Sequence, residues 1–301
     1  MLKRWTLVLS ISLLMQGGSL SAKEASRAYG PWVWGINSGY VHQFDASVDD
    51  ADGDFSVSRA FIGGSLSYAW DRKNSVGVSI GIGESDYDFD PGVSIDGLQP
   101  WDEIKEQRVS VPARLAPTEK SSLIIIPSVR SHFEDGASFS DGQTEGVIVA
   151  AGWRFSDTLT LGPGFGWFSE LEGGSSAFPI VLLDWKITDR LSLGTGRGLA
   201  ASQGPGLSLS YALNKNWTVS VAARYEKIQF ALDENKGIGE DSGMPLVASI
   251  NYSPWPMTSV SAFAGVELGG KLELQDSSGR TLASSDYDSA PLVGLTLTTR
   301  F

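Results

Sequence analysis

From residue 31 onward, apolar side chains recur at every second position. Leu207, Leu209, Tyr211 and Leu213 alternate with Ser208, Ser210 and Ala212. Trp217, Val219, Val221, Ala223 and Tyr225 alternate with Thr218, Ser220, Ala222 and Arg224. The same rhythm sets Val147, Val149, Ala151, Trp153 and Phe155 against Ile148, Ala150, Gly152 and Arg154, and Val109, Val111, Ala113 and Leu115 against Arg108, Ser110, Pro112 and Arg114. Successive side chains of an extended chain point to opposite sides, so this period specifies β-strands with one apolar face. No long segment carries the period of an amphipathic helix.

The connections are of two kinds that take turns. Short ones fall at 71–74, 118–120, 156–157, 188–190, 214–216 and 253–257. Longer, acidic, Gly-rich ones fall at 46–53, 84–104, 134–143, 171–175, 201–205, 232–242 and 273–286. Six short turns alternating with seven longer loops give 14 strands, or 12 if one segment is wrongly split, with both chain ends on the short-turn side. Roughly 20 residues per strand plus connection suits strands with a membrane-embedded part of about 9–11 residues. The expected fold is therefore all-β: a single antiparallel transmembrane β-barrel with short periplasmic turns and longer extracellular loops.

Two features separate such a barrel from a soluble sandwich. The face opposite the apolar one is dominated by Gly, Ser, Thr and Ala, which suits a water-filled or loop-filled lumen better than a solvated outer surface. Aromatics also collect at the short turns: Tyr68 and Trp70, Trp153 and Phe155, Trp185, Tyr211 and Trp217, Tyr252 and Trp255. Amphipathic rings at one end of nearly every hairpin are expected where hydrocarbon meets water. The second turn, with only Leu115 nearby, is the exception.

The N-terminus adds a compartment. Lys3 and Arg4 precede an apolar run, Trp5 to Met15, and then a small, polar stretch, Gln16 to Ala22. This three-part layout is that of a secretory signal peptide. Cleavage after Ala22, with Ser19 as the alternative, divides the chain into a signal peptide (1–22) and a barrel domain (23–301). The apolar run is too short for a spanning helix. The absence of Cys excludes disulfides, thiolate metal sites and a Cys nucleophile. A formal charge of −12 argues against nucleic acid as a partner.

At the C-terminus Val293, Leu295, Leu297, Thr299 and Phe301 alternate with Gly294, Thr296, Thr298 and Arg300. This resembles the terminal targeting strand of Gram-negative outer-membrane β-barrel proteins. The resemblance implies recognition of Val293, Leu295, Leu297 and Phe301 by the barrel-assembly machinery, escort by periplasmic chaperones, and final residence in the outer membrane among lipids and lipopolysaccharide. Thr299 departs from the usual aromatic or aliphatic residue. Within the class the chain looks most like uncharacterised proteobacterial barrels grouped as a domain of unknown function. It is also similar in size and strand count to hydrocarbon- and phenol-pathway channels.

Candidate chemistry narrows under inspection, and no catalytic, cofactor or metal site is expected. Outer-membrane lipid hydrolases use a Ser–His pair, but Ser131 and His132 are adjacent and so point to opposite faces, and His42 has no Ser two residues on. Asp50-Ala51-Asp52-Gly53-Asp54 fails the EF-hand pattern, because alignment on Gly53 puts Val48 and Arg59 at the end positions. The glycines of 162–166 and 194–198 open no helix and so form no phosphate cradle. The alternation places Arg59, Arg108, Arg114, Arg130, Arg154, Arg224 and Arg300 on the lumen face with Glu106, Glu226 and Glu267. If a pore exists, Arg108, Arg114, Arg130, Arg224, Glu226 and Glu267 are the candidates to line it. The expected function is a passive channel or uptake barrel for small solutes or hydrophobic compounds. The alternatives are a structural or surface-interaction barrel and, more distantly, a lipid hydrolase. The architecture itself predicts heat-modifiable migration: the folded chain should run differently from the boiled chain on a gel, and identical migration would refute a membrane barrel.

Overall fold

The computed structural model describes residues 31–49, 53–195, 206–233 and 237–301. The proposed signal peptide and residues 50–52 and 196–205 lie outside this set. The described chain is all β-structure closed into one antiparallel barrel of 14 strands. In chain order these are β1 (Trp32–Ser47), β2 (Asp54–Ala69), β3 (Ser75–Phe89), β4 (Glu103–Ser110 continued by Ala113–Leu115), β5 (Ser121–Glu134), β6 (Gln143–Arg154) and β7 (Leu159–Ser169). They continue as β8 (Ser175–Lys186), β9 (Leu191–Thr195), β10 (Gly206–Ala212), β11 (Trp217–Arg224 and Glu226–Ala231), β12 (Ile238–Tyr252), β13 (Thr258–Gln275) and β14 (Thr281–Tyr287 and Ala290–Arg300). Each strand pairs with its sequence neighbours, and β14 returns to β1 in a register running from Gly35↔Arg300 to Gln43↔Leu292. Two further hydrogen bonds between Trp34 and Phe301, of 3.0 and 2.8 Å, finish the seam.

The outer surface shows why closure is required. Along β3 the outward residues are Val76, Val78, Ile80 and Ile82, and the last two are 59% and 60% exposed in mid-strand. Equivalent positions on every strand carry Leu, Val, Ile or aromatics, for example Leu207, Leu209, Val221, Leu246, Val293 and Leu295. A belt of this extent contacts hydrocarbon, where an unpaired strand edge would cost several kcal/mol per backbone group. At Glu84 the outward face of β3 changes character: Glu84, Asp86 and Asp88 follow Ile82 without a break in pairing to β2, and the ladder to β4 runs as far as Asp86. The acidic runs expected in loops at 84–90, 238–242 and 273–286 are thus largely strand. They extend the sheet beyond the apolar belt, and the loops at 90–102 and 276–280 are what remains of two of them. Their outward charges interrupt the hydrophobic pattern but not the alternation, since Tyr87 and Phe89 still point inward.

Glycine is used on the inner face in a repeated way. Gly39↔Phe61, Gly146↔Phe168, Gly166↔Phe178, Phe230↔Gly239, Phe263↔Gly294 and Gly270↔Tyr287 are direct cross-strand partners. In each pair the ring lies over the glycine, where an added Cβ would run into it. Cross-strand pairs of this kind pin register while letting a large ring lie flat against the wall.

At the extracellular end the circle is pinched. β11 follows β10 only as far as Gly206↔Arg224, passes the break at Tyr225, and meets β5 through a parallel bridge, Ala231↔Phe133. The Asp233 N–H donates to Glu134 Oε2 at 2.7 Å at the same place. The upper parts of β1–β4 and β11–β14 therefore enclose a core of their own. Phe55, Val57, Tyr87, Ile104, Phe230, Leu272, Leu274 and Tyr287 meet there with Val93, Ile95 and Trp101 from the 90–102 segment. We predict that Gly270→Val, which forces a side chain into the Tyr287 ring, costs about 1–3 kcal/mol. A lowered urea midpoint would register it, and an unchanged midpoint would show that the ring can move aside.

Candidate functional site

Among the described residues, charged side chains from many strands converge in the interior of the barrel. β2 supplies Arg59, β4 Glu106 and Arg108, β5 Arg130 and His132, β11 Arg224 and Glu226, β12 Asp241 and β13 Glu267. Arg59 Nη2 donates to Asp241 Oδ2 at 2.9 Å across the barrel. Asp241 also accepts the Tyr87 hydroxyl at 2.8 Å and the Tyr287 hydroxyl at 3.1 Å, and Tyr287 reaches Glu267 at 3.4 Å. Glu106 Oε1 lies 3.7 Å from Arg108 Nη1 and 3.8 Å from His132 Nε2. Arg224 Nε lies 3.5 Å from Glu226. Arg130 donates to Thr144 at 3.1 Å and stacks over the Phe168 ring at 4.4 Å.

Of the candidate lumen residues, Arg108 and Arg130 face each other in register, with Glu106 and His132 one pair along the ladder. Glu226 and Glu267 face inward as their alternation requires, beside Arg224 and Tyr287 respectively. Arg114 stands apart, exposed at the short-turn end of β4. Four arginines (59, 108, 130, 224) share this layer with four carboxylates (106, 226, 241, 267). Beneath the core, a cavity of about 40 Å³ is lined by Asn37, Arg59, Phe61, Ser85, Glu106 and Arg108. That is room for a water or a few, not for a solute.

The rest of the interior departs from the expected small, polar lumen. Ile148, Phe168 and Phe178 form a buried apolar cluster with Ile126 and Ile180 on β5–β8. On the other wall Val41, Ala222, Val247, Phe263 and Leu292 form a second. A sequence signal existed: Leu123–Ile126, Val147–Ala150 and Ile180–Leu183 are unbroken apolar runs, the mark of strands apolar on both faces. Asp241, Tyr87, Tyr287 and Trp101 gave no such signal, because their partners lie far along the chain.

The mouth is covered as well. The 170–174 loop reaches the 276–280 loop, where a Cβ added to Gly279 would lie 3.0 Å from Glu172 Cβ. In that loop burial, then the hydrogen bond from Glu172, raises Glu170 to about 7. Asp276 is held at about 2 by hydrogen bonds from the Ser278 side chain and the Arg280 backbone. On the outer face of the upper sheet, Glu240 accepts Lys227 at 2.5 Å and Gln229 at 3.0 Å.

One Ser–His pair does form, between strands. Ser58 Oγ lies 3.0 Å from His42 Nδ1 and 3.1 Å from the Tyr40 hydroxyl on the outward face. Among the described residues no carboxylate is bonded to the His42 ring, and Ser58 sits in mid-strand, where the ladders to β1 and β3 engage the backbone donors that an oxyanion would need. Ser131 and His132 face opposite sides, and Ser131 donates to the Phe139 carbonyl at 2.7 Å. Among the described residues no cluster of three metal-ligating side chains occurs.

The nine short-turn aromatics are all exposed at strand ends or in the turns, with Trp217 stacked on Tyr252 at 4.6 Å. Val293, Leu295 and Leu297 face outward on the closing strand, and Phe301 is exposed beside Trp34. Removing one side of the buried cross-barrel pair should be costly. We predict that Arg59→Met, which strands Asp241 at 5% exposure, destabilises by roughly 3–5 kcal/mol in urea unfolding. Arg59→Met/Asp241→Asn should recover most of that loss; equal losses in both variants would refute the pairing.

No family model and no curated protein matches the chain. Among solved structures it is similar to a Pseudomonas aeruginosa FadL homologue, with 14% identity over 89% of this chain and 90% of that one at a TM-score of 0.50. It is also similar to an outer-membrane channel from Pseudomonas putida F1 (7% identity, 90% and 96% covered, TM-score 0.49) and to the P. putida toluene transporter TodX (10%, 94% and 93%, TM-score 0.39). At these identities the likeness concerns the fold, and the first match carries it: the chain has the fold of outer-membrane β-barrels.

Proposed function

We propose that the chain is an outer-membrane barrel for passive uptake of hydrophobic compounds. The observation that carries this reading is the apolar inner wall, Ile126, Ile148, Phe168, Phe178 and Ile180, facing the interior of a barrel whose outer belt is already apolar. Water gains nothing from such a wall, whereas an apolar solute does. The lumen charges support the same reading, since arginines and carboxylates present in equal number give little ion selectivity. The closed mouth favours the alternative, a surface-interaction barrel without transport, and the same experiment separates the two.

The reading carries partners with it. Lipids and lipopolysaccharide would surround the belt, with the short-turn aromatics at the periplasmic interface. Residues 1–22 would direct export, and periplasmic chaperones and the barrel-assembly machinery would act on Val293, Leu295, Leu297 and Phe301. The wider resemblance to uncharacterised proteobacterial barrels rests on architecture.

In a Gram-negative host, expression of the chain should speed entry of N-phenyl-1-naphthylamine several-fold over an empty vector without sensitising cells to a hydrophilic solute of similar size. Ile180→Glu should remove that gain while leaving heat-modifiable migration intact. Identical entry rates with and without the chain would overturn uptake and leave the surface role.

A further inference from the structure

Part of the barrel mouth is covered by a segment whose side chains enter the upper core. Residues 90–102 contribute Val93, Ile95 and Trp101 to the core at 7%, 0% and 3% exposure. The strands beside them are held by continuous ladders. The segment's backbone bonds outward only at its ends: Asp90 N–H donates to the Asp54 carbonyl at 2.9 Å, and Tyr87 N–H to the Asp102 carbonyl at 3.2 Å. Its other backbone bonds are internal, Val93 to Asp90 at 3.1 Å and the Ile95–Leu98 pair at 2.9 and 3.0 Å. Gly92, Asp96 and Gly97 turn the chain with φ of +96°, +47° and +83°.

Besides Val93 and Ile95, one indole anchors the segment. The Trp101 ring meets Phe230 at 4.7 Å, Tyr87 at 5.6 Å and Phe89 at 6.1 Å, all edge to face. Its Nε1–H is buried without an acceptor. Contacts of this kind are apolar and carry no hydrogen bond, so another flat apolar ring can replace the indole, and the indole N–H regains a partner in water on leaving. The seat outlasts the departure: Tyr87 stays fixed through its bond to Asp241, and Phe230 through its ladder.

We propose that residues 90–102 form a displaceable plug, and that the aromatic seat of Trp101 (Tyr87, Phe89 and Phe230) is the entry site for apolar compounds of about ring size. This deepens the uptake reading and takes its biological sense from it, but the tests measure binding and opening rather than transport.

Labelled naphthalene is dialysed to equilibrium against the folded protein in detergent, with empty micelles subtracted. Trp101→Ala should bind at least ten-fold more tightly than the parent, and Trp101→Ala/Phe230→Ala should fall back to background. Equal binding by parent and Trp101→Ala overturns the seat. Plug movement is read separately and does not depend on that variant folding. The chain has no Cys, so single thiols can be placed at Ile95→Cys in the plug and Leu272→Cys in the ladder, both at positions of 0% exposure. A water-soluble maleimide should label Ile95→Cys at least ten-fold faster, and faster still with naphthalene present. Equal rates, or no labelling of either, overturn the plug. If seat and plug pass while the cellular entry assay fails, the site stands and the uptake reading falls.

Discussion

Every strand of this chain has apolar side chains on the surface that a soluble protein would give to water, so the backbone of the belt cannot turn to solvent for hydrogen bonds. The seam between β1 and β14, from Gly35↔Arg300 to Gln43↔Leu292, is what satisfies it. Closing the sheet leaves no edge in hydrocarbon. Even the two prolines facing lipid on neighbouring strands, Pro163 on β7 and Pro179 on β8, are accommodated without opening the ladder between them.

Turning the apolar face outward removes the ordinary way of filling an interior. The chain fills it by two other means. Rings lie across inward glycines on the adjacent strand, which uses the volume next to the wall without pushing strands apart. Charges are set against opposite charges, across the barrel for Arg59 and Asp241 and within one strand for Arg108 with Glu106 and Arg224 with Glu226, because an unmatched ion there would be far costlier than a missing contact. Above the belt, where the outward face turns acidic, the inner face turns apolar, and the sheet behaves as an ordinary soluble sheet packed on a core.

These arrangements bear on function together. The inward arginines are set among as many inward carboxylates, which under the proposed reading leaves them little part as a selectivity filter. The apolar inner wall and the aromatic mouth are the features on which the proposed uptake of solutes that water holds poorly rests. The mouth core, held partly by side chains rather than by ladder bonds, is where such a route could open without breaking the barrel.

Period-two alternation, the alternation of short and long connections and the placement of aromatics were enough for the sequence to determine the barrel, its strand number and its orientation of faces. These are local properties: whether a side chain faces lipid or lumen depends only on its neighbours in one strand. Strand extent is where composition misleads: outward Asp and Glu at 84–90 imitate a loop, although Tyr87 and Phe89 keep the rhythm. Only the tertiary structure decided that β11 crosses to β5, that Asp241 lies under Arg59, that His42 meets Ser58, and that Trp101 occupies the mouth. Each of these joins residues from different strands or loops, and their distance is set by how the closed sheet is pinched rather than by any periodicity along the chain.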